Sequence, residues 1–441
     1  MDTAFSPTQL ALLACLQKES FAYFLHTVNP ANGLVKDKTA DDSPASIAAV
    51  GMALTNYPIG VERGFMSRSD AIALTLAALR FFAGSEQSTS VDATGYKGFY
   101  YHFLDMDTGR RAGNCELSSI DTALLMAGVL TAAQYFDGNN ADERAIRELA
   151  DMLYRRVDWQ WMQAGSKLVC HGYKPRSGFL KWYWEGYSEA LILYVLALGS
   201  PTFPISADSY DAWTASYQWE TAYGIDYLHA GPLFIHQMSH LWIDFRGLQD
   251  EFMRAHDSDY FENSARATRV QQQYAIHNPL NFKHYSALCW GFTASDGPGE
   301  TRQEVDGVKR RFYDYAARGA PYGPDDGTVS PWAAAASLPF APDIVMRTIE
   351  YFHRLPLCET DPYGFKASFC PAFEPGWVSP HHFGINEGPT VIMLDNTLHD
   401  FLWKLMRSNP TLRAGLLRAG FRGGWLGTAT TTQGTSHAYQ S

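Results

Sequence analysis

The sequence predicts an all-α fold, an (α/α)6 toroid of six helical hairpins with short β-hairpins in the loops at its mouth. Three observations point there. Twelve amphipathic helical stretches can be counted along the 441 residues. Residues able to do chemistry cluster just ahead of every second stretch: Asp41–Asp42, Glu116, Trp184–Glu185, His229, Asp325–Asp326 and Asn386–Glu387. The odd stretches carry most of the exposed charge, whereas the even ones are rich in Ala, Gly, Leu and Met and read as buried on several sides. A simple row of helices gives no reason for that alternation. A ring of hairpins does, because its inner helices aim their N-termini at one shared mouth.

The elements follow in order. Pro7–Val28 is the first stretch, and Pro44–Tyr57 the second, opened by the turn Asp41-Asp-Ser-Pro44 with Ser43 as N-cap and proline at the first helical position. Ser67–Phe82 comes next, then Leu117–Phe136, which Ser118 or Ser119 can cap. Ala141–Val157 has the clearest charged face, with Asp142, Glu143, Arg144, Arg147, Glu148 and Asp151. Gly186–Leu198, Ser209–Trp219, Pro232–Phe245 and Asp259–Ile276 follow, and Trp332–Ser337, Pro342–Arg354 and Pro389–Met406 complete the set. The connections Gly84–Glu116 and Gly165–Glu185 alternate around turns and predict β-hairpins. Gly291–Pro331, rich in Gly, Pro and Asp, is a long approach loop, and loops of that size in a compact domain are usually functional. With no linker or composition break, residues 1–422 read as one domain and 423–441 as a flexible tail.

Composition narrows the function. A charge of −11 argues against nucleic acid or an anionic membrane as partner, and no apolar run reaches the length of a membrane span. The N-terminus lacks a basic leader and runs straight into a helix. The chain therefore reads as cytoplasmic, or as periplasmic if a leader has been removed. The six cysteines, Cys15, Cys115, Cys170, Cys289, Cys358 and Cys370, form no C-x-x-C pair, which offers no zinc framework. G-x-S-x-G, P-loop and dinucleotide fingerprints are missing from the chain.

Aromatic residues fall in the polar approach segments: Tyr96, Phe99, Tyr100, Tyr101, Trp182, Tyr183, Trp184, Trp290, Tyr322 and Trp377. Flat apolar faces beside acids suit a sugar-binding groove. Glu189 stands out among the acids. It lies one turn into the predicted Gly186–Leu198 helix, on the face of Glu185, in an otherwise apolar run under three aromatics. Such surroundings raise a carboxyl pKa, as a general acid requires. Asp121 lies a turn inside a nearly apolar helix and calls for a partner, while Glu116 is either functional or part of the capping turn. Glu387 precedes the last even helix and either faces Glu189 across the mouth or is an ordinary loop acid. His236, His240 and Asp244 are spaced by four, as on a helical metal face, but such residues more often bond one another; no metal site is assigned.

With those residues in view, the chain resembles the glucoamylase-like family grouped as glycoside hydrolase family 144, the bacterial endo-β-1,2-glucanases. The segments that carry the resemblance are ELSSIDTALLMAG, YRRVDW, WEGYSEALILYVLALGSPT, GPLFIHQMSHLWIDFRG, DYFENSARAT, WGFTASDGP, DGTVSPWAAAASLPFAP and INEGPT. It implies an (α/α)6 fold, hydrolysis of β-1,2-glucan with inversion, and no metal or organic cofactor. Glu189 matches the glutamate of the family's G-Y-x-E segment and would be the proton donor, and Asp121 matches an acidic position. The family's I-D-Q-G-P turn reads Ile385-Asn-Glu-Gly-Pro389 here, so its acid is displaced by one residue. The expected site is then Glu189 as acid and Asp121 or Glu387 as base. Glu116, Trp184, Glu185, His236, Gln237, Trp242, Arg246, Trp290, Asp296 and Tyr322 would hold the glucan. The competing readings are a polysaccharide lyase with a His229, His236 or Tyr183 base, and a glucan-binding protein without catalysis.

Overall fold

Ser6 starts the first helix with a reciprocal cap: its hydroxyl accepts from the Gln9 N–H and the Gln9 side chain accepts from the Ser6 N–H, with Pro7 at the first helical position. The computed structural model describes residues 5–357 and 362–427. Its helices are α1 (Pro7–His26), α2 (Ile47–Glu62), α3 (Arg68–Gly84), α4 (Ser119–Tyr135), α5 (Ala141–Arg156), α6 (Leu191–Gly199) and α7 (Ala207–Thr214). They continue with α8 (Glu251–Ala255), α9 (Tyr260–His277), α10 (Pro331–Ala335), α11 (Pro342–Phe352), α12 (Gly384–His399), α13 (Phe401–Arg407) and α14 (Pro410–Arg418). Strands are two to five residues long and form small antiparallel ladders in the connections. No described helix is long and apolar enough to cross a membrane.

The predicted alternation of buried and surface helices is present. Every residue of α6 and nearly every residue of α2 and α4 is buried, so these helices need no polar face. In α5 burial recurs at Glu143, Ile146, Ala150, Leu153 and Tyr154, one stripe of a helix whose first turn is acidic and last turn basic, matching its dipole. The central packing runs from α12 to α2, α2 to α4 and α4 to α6. α2 and α4 cross at glycines: a Cβ on Gly128 would stand 2.2 Å from the Gly51 carbonyl oxygen, and one on Gly51 would stand 2.4 Å from that of Leu124. Both contacts are backbone and cannot yield. Gly128→Ala is therefore expected to lower unfolding stability by about 1–3 kcal/mol, the usual range for overpacking. A urea midpoint equal to wild type would contradict that crossing.

Several boundaries differ from the expectation. Ser43 does not cap α2; its hydroxyl accepts from the Lys38 N–H, and Ala45–Ser46 pairs with Phe103–Leu104 before Ser46 caps the helix. The predicted Gly186–Leu198 helix begins only at Leu191, so Glu185 and Glu189 do not share a helical face. Pro232–Phe245 is not a helix but two short 3-10 stretches, Leu233–His236 and Met238–Leu241. The N–H groups of Gln237 and His240 bond three residues back, to Phe234 O and Gln237 O, and those of Leu233 and Phe234 bond across to Phe292 O and Thr293 Oγ1. The last predicted helix starts at Gly384, with Pro389 inside it, and breaks at Asp400 (φ 53°) into α12 and α13. The helices α8 and α14 were not foreseen. Hairpins occur in both expected connections, at 95–100 and 172–179, and also at 219–228 and 301–312. The predicted tail begins with ordered residues, since Arg422–Gly423 pairs with Leu248–Gln249 and Leu426 is buried; its remainder, 428–441, lies outside the described residues, as does Cys358. The five described cysteines are free thiols.

Candidate active site

Short β pairings, rather than helices, set the positions of the central polar side chains. Leu117–Ser118 pairs with Gly172–Tyr173, and Ser118 then caps α4, taking the Asp121 N–H at 3.2 Å and donating its hydroxyl to Asp121 Oδ2. The His102 N–H bonds to Glu116 O at 2.9 Å, and the Ile47 N–H bonds to His102 O at 3.2 Å. His102, Glu116 and Asp121 are thereby fixed together beside the start of α2. Glu189 arrives from the other side, on the non-helical turn just before α6.

These groups open into a cavity of about 580 Å3 lined by Asp37, His102, Asp121, Glu189, Asp296 and Asp314, with Phe103, Phe234, Tyr315, Trp332 and Phe383 as apolar walls. His102 and Phe103 also border a wider adjoining groove that contains Asp41, Asp42 and Glu116. Burial lifts the Glu189 carboxyl to about 7; its own N–H opposes this weakly, and the nearby charge of Asp121 adds to it. Asp37 rises to about 6 through burial, against the pull of His102 and Lys38. His102 behaves oppositely. Burial disfavours its charge, but Asp121, Glu116 and Asp37 together hold it at about 9. One cavity thus contains a carboxyl biased toward its proton and another that faces a cation. Asp296 Oδ2 accepts from Ser379 at 2.8 Å, which fixes its orientation.

Of the predicted site residues, the fold brings Glu189, Asp121 and Asp296 into this cavity and Glu116 to its edge. Glu387 is a correction. It is buried beneath the start of α12, paired with His382 Nδ1 at 3.0 Å, and it is Ile385 and Asn386 that face the cavity. The one-residue shift of the acid turns its side chain inward, about a hundred degrees around the helix. Gln237 is buried and donates to Ala333 O and Ser337 Oγ, and Trp242 donates to Thr55 Oγ1. Trp290 is wholly buried. Arg246 is remote, bridging Asp244 and Asp400 and lying over Trp403. His236 bonds to Ala230 O, and burial lowers its pKa to about 4. His240 contacts Ser264 and Asp244 pairs with Arg246 and Arg407, so the four-residue spacing gathers no metal ligands. Trp184 donates to Ser119 and stacks on His171, while Glu185 and Tyr322 lie at an exposed rim near His229. Tyr100 is core, and Trp377 packs with Val305, Phe312 and Cys370, so neither offers a sugar platform.

Asp37, His102, Asp314, Tyr315 and the real aromatic walls were missed. Asp37 and His102 sit in strand-like connections, where nothing in the local pattern marks a catalytic position. The one available signal was their place in long approaches to even-numbered helices.

Residues 181–410 match the model of the Glycoamylase family, described as "Putative glucoamylase". The chain belongs to this family. A relative from Parabacteroides distasonis, named exo beta-1,2-glucooligosaccharide sophorohydrolase (non-reducing end), is 26% identical over 458 residues, covering 94% of this chain and 58% of its own. The chain therefore spans somewhat under three fifths of the length of that curated relative. Among solved structures, an endo-beta-1,2-glucanase from Chitinophaga pinensis in complex with sophorotriose and glucose has a TM-score of 0.83 at 25% identity, over 96% of this chain and 100% of its own. A Bacteroides uniformis structure described as a "putative glucoamylase" also gives 0.83, at 28% identity over 96% of this chain and 100% of its own. The resemblance read from the sequence segments agrees with this membership, and the match holds over nearly the full length of the glucoamylase-family chain.

Proposed function

We propose that the protein is a glycoside hydrolase that cleaves β-1,2-linked glucan with inversion at the anomeric carbon. Glu189 is the general acid and Asp121 the base. The observation that carries this is the contrast between two carboxyl groups in one cavity: burial lifts Glu189 to about 7, and Asp121 stands beside the His102 imidazole. The β-1,2-glucan substrates in the names of the two relatives support the linkage. The Ser118 hydroxyl and His102 both address Asp121 Oδ2, which leaves Oδ1 to activate water, directly or through a substrate hydroxyl. Asp37, Asp296 and Glu116 hold sugar hydroxyls, and Phe103, Phe234, Trp332 and Phe383 face the apolar sides of the rings.

Residues 1–422 act in this reading as one domain, with α2, α4, α6, the 3-10 stretches, α10 and α12 closing into the inner ring. Contacts of Met238–Leu241 with α6 and α12, and of α10 with α12, support the closure. A uronate substrate for the lyase alternative would need several cations, and the lining offers Lys38 and His102 against five carboxylates. Linear β-1,2-glucan should yield reducing ends over time, with an inverted anomer by proton NMR and sophoro-oligosaccharides or sophorose on thin-layer chromatography. Ultraviolet absorbance from an unsaturated product, or tight binding with no reducing ends, would overturn the hydrolase assignment.

A further inference from the structure

In the hydrolase reading His102 stands beside Asp121 Oδ2 and has no chemical step of its own. Its Nδ1 lies 3.2 Å from Glu116 Oε1 and its Nε2 3.6 Å from Asp121 Oδ2. The ring stacks on Phe103, with centroids 4.0 Å apart and planes 13° apart, and its main chain is bonded on both sides, to Glu116 and Ile47. The ring is therefore held in place. A neutral imidazole has one N–H and one lone pair, so in this position its lone pair would point at a carboxylate. With both carboxyl groups ionised, only the doubly protonated ring satisfies both neighbours.

We infer that His102 is a positioning residue that separates the acid and base roles: its fixed ring places a cation against Asp121 Oδ2, while among the described residues no cation pairs with the Glu189 carboxyl. This inference rests on the hydrolase assignment above. The charged and titratable groups of the cavity and its edge come from every neighbouring element. Glu116 lies before the start of α4 and Asp121 within its first turn. Asp37 and Lys38 come from the approach to α2, and Glu189 from the approach to α6. Asp296, Asp314 and Tyr315 belong to the long loop before α10, and Lys174, on the 172–174 strand, offsets part of the charge of Glu116. Carboxylates outnumber the lysines, so the ring stays charged through the range in which Glu189 titrates. The upper limb of the activity profile then belongs to Glu189, and His102 acts on the lower limb, where the base is lost.

The test is the pH profile of kcat/KM on linear β-1,2-glucan for wild type, His102→Gln and His102→Lys. In His102→Gln the lower limb is expected to move up by at least about one pH unit, which is a tenfold loss on that limb. The upper limb should stay near 7, kcat should fall about tenfold only on the acid side of the shifted limb, and KM should change less than threefold. His102→Lys, which restores a cation, should bring the lower limb most of the way back. An unmoved lower limb in an active, folded His102→Gln variant would overturn the inference, as would a loss confined to KM, which marks a residue that only binds sugar. A second readout needs no substrate: carboxyl-13C aspartate NMR, with the Asp121 signal assigned by its loss in Asp121→Asn. The Asp121 titration should shift upward in His102→Gln. If wild type does not cleave β-1,2-glucan, the hydrolase assignment fails while this titration still decides the role of His102.

Discussion

Glu189→Gln is expected to lower kcat by about 1,000-fold or more, in the upper part of the range for removing a general acid, with oligosaccharide affinity nearly unchanged. Glutamine keeps the size and polarity of the side chain and removes only the transferable proton. Isothermal titration with sophorotriose, beside steady-state rates, separates the two effects; a variant that retains a tenth of wild-type kcat would dismiss Glu189 as the acid. The same residue links pH to activity and stability. In the folded chain Glu189 releases its proton near 7, against a reference near 4.5. Activity should therefore decline as pH rises through about 7, where the acid is lost. Between those two values the folded state binds more protons than the unfolded one, so this group's contribution to stability falls as pH rises. Glu189→Gln avoids ionisation in the cavity and should melt above wild type at pH 8, with the gap closing at pH 5.

Arg318→Met is expected to cost about 3–5 kcal/mol of stability, the cost of breaking a buried ion pair by removing one partner. Arg318 and Asp326 have side-chain exposures of 1% and 0% and meet through two bonds of 2.7 and 2.8 Å. The same guanidinium donates to the carbonyls of Ser295, Tyr313 and Asp314. These are immediate neighbours of the cavity residues Asp296, Asp314 and Tyr315, so losing the clamp loosens one wall of the site as well as the fold. The expected signature is a lower urea midpoint together with a raised KM. Arg318→Met combined with Asp326→Leu should recover part of the stability, because the second change removes the stranded charge, although the Tyr313 and Thr328 N–H groups then lose their acceptor. A midpoint shift worth less than 1 kcal/mol in the single variant would mean that the pair does not hold the loop.

Legibility differed by kind of residue. Glu189 was readable because an acid beside the apolar run that starts at Ala190 has few structural explanations, and the fold brings it into the cavity although the helix starts later than expected. Glu387 was misread for the opposite reason: its sequence neighbourhood is polar and aromatic, and only the orientation of the first turn of α12 decides that Asn386 faces the cavity while Glu387 meets His382. The aromatic residues divide, with Trp182 and Tyr322 exposed and others buried. Trp290, Tyr100 and Trp242 are core, since a large ring in a polar-looking segment is buried as readily as it is displayed.

The sequence by itself determined most of the helices, the alternation of buried and surface helices, and Glu189 as a carboxyl of the cavity. Periodicity and local composition carry that information within a turn or two of chain. Tertiary structure alone decided that His102 stands between Glu116 and Asp121, that Asp37 and Asp296 join them, and that the helical metal spacing of His236, His240 and Asp244 is dispersed. Those outcomes depend on short β pairings between segments tens of residues apart and on backbone donors claimed across the fold, such as Leu233 by Phe292, and no local pattern encodes such long-range partners.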